Sequence, residues 1–173
     1  MEASNRAIKI YKSDFKTIDS FFYEIKKFFI ANGIEINREA TDDEIKEFEL
    51  ANNVVLSSEL KKYYKTINGI DGALFLAKLN PISNLKRVID YDWFSNTEFT
   101  KNEIQNFEKT FVLGDIMIDS HQWGIILNNN GNPEKIIELD FEETVAKNIS
   151  DFLALFVNET PYSLVGEKEE NRN

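Results

Sequence analysis

The sequence predicts an α+β fold, with a single mostly antiparallel sheet, helices in the N-terminal half and a C-terminal helix packed against the sheet. Two observations lead to this prediction. Apolar residues recur at three- and four-residue spacing before residue 68 and again after residue 144, whereas the intervening residues form short apolar runs separated by turn-forming residues. Helices that precede and follow a group of strands, rather than alternating with them, are typical of the α+β class.

The first helix is predicted to begin after Ser13 or Asp14, either of which can accept a hydrogen bond from a backbone N–H of the first turn. It ends at Asn32-Gly33, a pair typical of helix C-termini. Its other side carries charges of both signs, which favours an ordinary core over contact with a lipid surface. The apolar stripe consists of Phe15, Ile18, Phe21, Phe22, Ile25, Phe28 and Phe29.

A second helix is predicted to begin at Thr41. Thr41 and Glu44 have the spacing of a capping box, in which each side chain pairs with a backbone N–H of the other. Ile45 and Phe48 form its apolar side, and Asn52-Asn53 ends it.

A third helix is predicted to open at Ser57 or Ser58 and to end at Asn68-Gly69, after which Asp71-Gly72 turns the chain. Residues at helical spacing give it a buried side. These residues are Leu60, Tyr63, Tyr64 and Ile67.

The periodicity changes after residue 72. Residues 73–79 and 85–89 are predicted as short strands on either side of Asn80-Pro81. Thr100 and Glu103 form a second possible capping box, which predicts a short helix before a strand over residues 111–118.

An antiparallel hairpin is predicted next. Residues 122–127 and 134–139 read as strands, and the turn at residues 128–131 is too short for a parallel crossover. The last helix follows, and the polar chain beyond it is expected to fray. We therefore predict one domain over residues 1–160 and an acidic tail over residues 161–173. The buried side of the last helix is predicted to consist of Val145, Ile149, Phe152, Leu153 and Phe156.

Length and composition fit one protein domain in a reducing compartment. A chain of 173 residues buries roughly 70% of its unfolded surface on folding and needs no disulfide or metal for stability. The chain contains no cysteine, which excludes disulfides, thiolate zinc sites and cysteine nucleophiles. No apolar run has the length of a signal peptide or of a membrane span, so we expect a cytoplasmic protein.

The net charge is −10, and most of it lies in the second half of the chain. Residues 89–151 contain thirteen acidic side chains and four basic ones, whereas residues 1–33 contain four acidic and six basic ones. An acidic surface repels phosphate backbones and attracts basic proteins. This charge disfavours nucleic-acid binding and indicates either a basic protein partner or solubility alone.

The sequence contains few elements of catalytic chemistry. Its single histidine, His121, can join Asp115 and Asp119 in a carboxylate-rich metal site, although a solvated sheet edge accounts equally well for this pattern. No Gly-x-Ser-x-Gly turn and no glycine-rich phosphate loop is present, so we expect no cofactor.

Acid pairs at Asp42-Asp43 and Glu142-Glu143 precede predicted helices, where negative charge is favourable.

Residues 89–98 alternate aromatic and acidic side chains. Tyrosine and tryptophan are frequent in binding hot spots, and neighbouring carboxylates select a basic partner. The alternative is that Tyr91, Trp93 and Phe94 anchor an irregular loop on the core while the acids face water. The predicted centre of the partner-binding site is Asp90, Asp92, Trp93 and Glu98.

The order of motifs resembles that of the SUKH superfamily, whose founding members are yeast regulators of cell-wall synthesis. The resemblance begins with the capped helix at Thr41, the Val-x-Leu link, the Tyr63-Tyr64 helix and Asn68-Gly69. It continues with residues 111–115 and 123–127, which look like the central strand pair of the family, and with residues 145–153, which look like its closing helix.

Bacterial members of this superfamily are commonly immunity proteins, which bind and block a cognate toxin, often a nuclease or a deaminase. The resemblance therefore implies a non-enzymatic protein that neutralises a toxin, and the acidic second half implies that the toxin is basic. A regulatory interaction scaffold like the yeast founders is the alternative. A third possibility from another class is a small metal-dependent hydrolase that uses Asp115, Asp119 and His121.

Overall fold

The structure is a computed structural model of the chain and describes residues 9–72, 77–92, 107–116, 121–132, 134–139 and 143–159. Its helices in these ranges are α1 (Ile18–Ala31), α2 (Asp42–Asn52), α3 (Ser58–Thr66) and α4 (Ile149–Asn158). Its strands there are β1 (Glu35–Ile36), β2 (Ile70–Gly72), β3 (Ala77–Leu79), β4 (Thr110–Ile116), β5 (His121–Ile126), β6 (Lys135–Glu138) and β7 (Thr144–Ala146).

The strands form one sheet of order β1-β2-β3-β4-β5-β6-β7, in which each strand pairs antiparallel with its neighbour in the chain. Helices lie before and after most of the sheet. The predicted α+β class is therefore confirmed, and so is the antiparallel hairpin of β5 and β6.

Helix α1 begins later than the sequence predicted. Residues 12–14 form a separate 3₁₀ turn, and the N-cap is Thr17, which shares a capping box with Ser20. The predicted caps Ser13 and Asp14 were wrong because the Thr17 hydroxyl accepts from the Ser20 N–H at 3.2 Å and satisfies the first turn of the helix.

Helix α2 begins and ends at predicted residues, and α3 begins at a predicted residue but ends at Thr66, just before the predicted stop at Asn68-Gly69. The Glu44 carboxylate accepts from the Thr41 N–H at 2.8 Å, and Asn53 ends α2 in the left-handed region with φ of 53°. Ser57 caps α3. The turn after α3 requires Gly69, since its φ is +83° and a Cβ there would lie 2.3 Å from the carbonyl oxygen of Leu79.

One turn prediction and one strand prediction in the middle of the chain were wrong. Asp71-Gly72 lies in β2 rather than in a turn. Strand β3 lies within the predicted strand 73–79, of which residues 73–76 are outside the described residues. Residues 85–89 form no strand. Two 3₁₀ turns, Ile82–Asn84 and Val88–Asp90, flank an isolated bridge between Arg87 and Phe111. Leu85 and Val88 are buried in different clusters, so their apolar character did not indicate one strand face.

The C-terminal helix is also shorter than predicted. Val145 lies in β7, and α4 begins at Ile149 with Asn148 as its N-cap. Glu143 therefore precedes a strand rather than a helix. The predicted helix around Ile104, the end of the strand predicted to residue 118 and the tail at 161–173 lie outside the described residues.

The main core lies between the helices and one face of the sheet, which we call the helix face. Its centre is aromatic. Trp123 of β5 contacts Phe152 and Phe156 of α4 edge-on, with ring centroids 5.2 and 5.8 Å apart. Phe48 of α2 meets Phe111 of β4 at 5.4 Å. These contacts attach both the first and the last helical segments to the same side of the sheet.

A smaller apolar cluster lies on the opposite side of the sheet, which we call the open face. Gly124 lets this cluster pack closely, because a Cβ there would lie 2.6 Å from side-chain atoms of both Leu139 and Thr110. The 3₁₀ turn at residues 88–90 covers this part of the open face through Val88. The buried members of the cluster are Val88, Phe107, Val112, Ile137 and Leu139.

One buried acid joins α3 to the sheet. Glu134, next to β6, is 2% exposed, and the Ser57 hydroxyl lies 2.8 and 3.1 Å from its two oxygens. Ser57 Oγ also accepts from the Leu60 N–H at 3.0 Å. Burial raises the pKa of the Glu134 carboxyl above its usual value, and hydrogen bonds from its own backbone and from Ser57 offset part of this rise.

Among the described helices, none combines the length and the apolar character needed to cross a membrane.

Truncating the aromatic core should unfold the protein. Phe48, Tyr64, Trp123 and Phe152 are all buried, so each change to Ala removes transfer free energy and leaves a cavity, at a cost of roughly 3 to 5 kcal/mol. Thermal melts measure this loss. Tyr23→Ala, at an aromatic residue that is 59% exposed on α1, is the control and should melt near the wild type. A Phe48→Ala or Phe152→Ala variant that melts within a few degrees of the wild type would contradict this assignment.

Glu134→Gln should change the pH dependence of stability. Because the pKa of Glu134 is raised in the folded state, ionisation costs stability as pH rises from the unfolded value of about 4.3 through the folded pKa. Gln keeps an acceptor for Ser57 but cannot ionise. The melting temperature of Glu134→Gln relative to wild type should therefore be higher at pH 7 than at pH 4. An equal difference at both pH values would show that Glu134 titrates normally.

Candidate partner-binding face

A row of polar side chains crosses the open face of the sheet, one from each of five consecutive strands. The register places Glu35 opposite Asp71, Asp71 opposite Lys78 and Lys78 opposite Asp115. Asp115 in turn lies opposite Gln122. Directly opposed residues of neighbouring strands share a face. We call Glu35, Asp71, Lys78, Asp115 and Gln122 the polar row.

The polar row is predominantly acidic. Glu35 and Asp71 are exposed, whereas Lys78 and Asp115 are half-buried. Lys78 lies between Asp71 and Asp115, and opposite charges at directly opposed positions stabilise a sheet. With three carboxylates and one ammonium group, the row keeps an excess of negative charge. Lys135, at the far end of β6, also belongs to the open face, because it pairs with Ile126.

Residues 88–92, which we call the acidic turn, lie over the apolar half of the open face. Val88 is fully buried in the small cluster, and Tyr91 packs against it. The Asp90 and Tyr91 N–H groups donate to the carbonyls of Arg87 and Val88 at 3.1 and 3.2 Å. Asp90 and Asp92 are exposed. The turn is thus fixed by its apolar side chains while its two carboxylates face outward.

Two of the four predicted site residues can therefore be located. Asp90 and Asp92 are on the acidic turn, beside the polar row that the sequence did not reveal. Trp93 and Glu98 lie outside the described residues. Tyr91 packs against the small cluster, as the alternative interpretation proposed for the aromatic residues of this segment.

The negative charge of the second half is not all at the surface. Glu134 is 2% and Glu138 is 1% exposed, so two of the acids that the structure describes between residues 89 and 151 are buried. The surface charge there is smaller than the sequence count indicates. The remaining acids that the structure describes include Asp90, Asp92 and Asp115 on the open face.

The register also separates two members of the carboxylate-rich metal site. Ile116 lies opposite His121, and Asp115 lies opposite Gln122. Neighbouring residues of a strand point to opposite faces, so Asp115 is on the open face and His121 is on the helix face. Asp119 lies outside the described residues. In the described ranges, no three His, Asp or Glu side chains are grouped as metal ligands.

His121 instead lies near a second buried acid that the sequence analysis did not identify. Glu138 pairs with Trp123 across β5 and β6, and its Oε1 lies 3.7 Å from His121 Nδ1. This contact is an ion pair only when the histidine is protonated. The strand alternation offered a signal, because Glu138 follows buried Ile136 by two residues and therefore shares its face.

Comparison with known proteins agrees with this architecture. Residues 39–155 match the sequence model of the SMI1 / KNR4 family (SUKH-1). No curated protein matches the sequence. The match begins just before α2, ends within α4 and includes the whole described sheet except β1. Because it covers more than half of the 173 residues, the chain belongs to the SMI1 / KNR4 family (SUKH-1).

Proposed function

We propose that this protein is a non-enzymatic immunity protein of the cytoplasm that binds and neutralises a cognate toxin with a basic surface. The observation that carries the proposal is the arrangement of carboxylates on one side of the sheet. Asp90 and Asp92 stand on a turn fixed by buried apolar residues, on the same side of the sheet as a polar row with an excess of acids. Bacterial proteins that resemble this family are commonly immunity proteins, which is the reason for naming a toxin as the partner.

The open face suits recognition of a basic protein because its charge is held in place. The polar row belongs to paired strands, and the acidic turn is attached through Val88 and Tyr91. Fixed carboxylates attract a basic partner during diffusion and disfavour nucleic acid, whose phosphates carry the same charge. Since α1 to α4 contribute their buried residues to the main core on the helix face, a partner that binds the polar row does not need to displace them.

The separation of Asp115 from His121 supports a binding role rather than metal-dependent hydrolysis. A hydrolytic site needs its acid, base and metal ligands within hydrogen-bonding or coordination distance of one substrate. Side chains on opposite faces of a sheet do not meet this condition. The Glu138 carboxylate near His121 is buried beside Trp123 in the main core, which is a position suited to a structural contact.

Reversing the charge of the acidic turn should slow association with the partner. Asp90→Lys/Asp92→Lys should lower the association rate constant roughly tenfold or more at low salt and remove most of its salt dependence. The effect should fade near 1 M salt, where the Debye length falls to about 3 Å. Adding Glu98→Lys should slow association further. The partner is obtained by pull-down from the source cell or by co-expression with the neighbouring gene product, and rates are measured by surface plasmon resonance.

The matched control is Asp14→Lys/Glu47→Lys, which makes the same change in net charge at exposed positions outside the sheet. It should alter the association rate much less, with melting temperatures confirming that both variants fold. If the turn variant and the control bind the captured partner at the same rate, the open face is a solvated surface and not the interface.

The protein should have no metal-dependent activity. We expect elemental analysis of the purified protein to find no stoichiometric zinc or manganese, and His121→Ala to leave inhibition of the toxin unchanged. Bound metal in a one-to-one ratio that is lost in His121→Ala, together with hydrolytic activity, would overturn the binding-only proposal.

A further inference from the structure

A cleft of about 390 Å³ lies at one end of the sheet, between the C-terminal end of α2 and the turn that joins β5 to β6. Asn52 and Asn53 form one wall, and Asn128 and Asn129 form the other. Arg87 lies in this cleft, which we call the Arg87 cleft. Neither the acidic turn nor the polar row accounts for it.

Arg87 is a half-buried cation that forms no ion pair with a carboxylate of the described residues. Among the described residues, no carboxylate oxygen lies within 4 Å of a guanidinium nitrogen of Arg87, although Glu108 lines the cleft. Its guanidinium donates one hydrogen bond, to the carbonyl of Asn52 at 3.3 Å, and lies 5.9 Å from the centre of the Phe111 ring. Arg38, by contrast, is paired with Glu44.

Contacts with the described residues use few of the hydrogen-bond donors of the Arg87 guanidinium. A guanidinium has five N–H donors in a planar fork that matches the two oxygens of a carboxylate. The last carbonyls of α2 offset part of its charge through the helix dipole. The Asn52 carbonyl accepts from one N–H of the fork, and the centre of the Phe111 ring lies 5.9 Å from the guanidinium carbon. Contacts with the described residues therefore leave donors of the fork for an incoming oxyanion.

The other lining groups suit a peptide segment better than a free ion. The side-chain amides of Asn53 and Asn129 make no hydrogen bond with other described residues, and an amide can pair with both groups of a peptide bond. Val54, Ile89 and Leu127 add apolar surface to the same cleft. A small inorganic anion can accept from the amide N–H groups, but it uses neither the amide oxygens nor the apolar surface.

We propose that the Arg87 cleft binds the carboxylate side chain of a polypeptide segment, with Arg87 as its bidentate partner and Asn53 and Asn129 holding the adjacent backbone. Ile89 lines the cleft and is followed directly by Asp90, so the cleft adjoins the acidic turn. The inference does not depend on the proposed toxin contact, because binding of a peptide to the cleft can be measured without the toxin.

The test is a titration of ¹⁵N-labelled protein followed by NMR. The ligands are the capped peptide acetyl-Gly-Ser-Glu-Ser-Gly-amide, its counterpart with Gln in place of Glu, and inorganic phosphate. The Glu peptide should shift the amide signals of residues that line the cleft, and the Gln peptide should not. Arg87→Gln should weaken binding of the Glu peptide at least about tenfold, as expected for the loss of a charge-assisted bidentate pair.

Arg87→Lys separates binding from a merely structural role. It keeps the positive charge at the end of α2 but loses the planar fork, so it should fold with a near-normal melting temperature and still bind the Glu peptide more weakly. Arg38→Gln is the matched control and should bind normally. Binding that is unchanged in folded Arg87→Lys and Arg87→Gln overturns the proposal. Phosphate that binds as tightly as the Glu peptide also overturns it, because the cleft would then be a simple anion site.

Discussion

Trp123 packs edge-on against Phe152 and Phe156, and the rest of the structure depends on this contact between β5 and α4. Trp123 is in the middle of the sheet, and α4 is the last helix of the chain. Their contact determines which face of the sheet is covered. The Phe48–Phe111 contact places α2 on that same face, so the aromatic residues of the first and last helical segments converge on one core.

Because α1 to α4 cover the helix face of the sheet, the open face can carry polar and charged side chains. Antiparallel sheets tolerate this arrangement because their strands can be apolar on one side and polar on the other. Here the open face is divided. The part formed by β4 to β6 is apolar and lies under the acidic turn, whereas the part formed by β1 to β5 carries the polar row. The negative charge is therefore held by backbone pairing and by buried side chains, and a partner would not have to order flexible carboxylates at an entropic cost.

The sequence was most informative where local signals determine the structure. The Thr41/Glu44 capping box, a serine cap at Ser57 or Ser58 and the helix end at Asn52-Asn53 depend on local interactions, and each was predicted. Residues 85–89 were misassigned because their apolar side chains serve two clusters on opposite faces, which only the tertiary fold separates. Thr17 was missed as a cap because Ser13 and Asp14 offered the same chemistry a few residues earlier. Val145 continued the apolar spacing of α4 although it lies in a strand.

The candidate site was predicted only in part for a related reason. Asp90 and Asp92 were identified because aromatic and acidic residues alternate around them. The polar row consists of residues distant in sequence, such as Glu35 and Asp115, that only the strand register brings together. Burial of Glu134 was not predictable, since its partner Ser57 is 77 residues away in the chain.

Hydrogen exchange measured by mass spectrometry, on the free protein and on its complex with the captured partner, tests most directly whether recognition uses the face opposite the helices. The account predicts slower exchange in the complex for peptides that cover residues 86–92 and the strands of the polar row, with little change in the exposed turns of α1. Protection confined to α1 and α2, with unchanged exchange at residues 86–92, would contradict it.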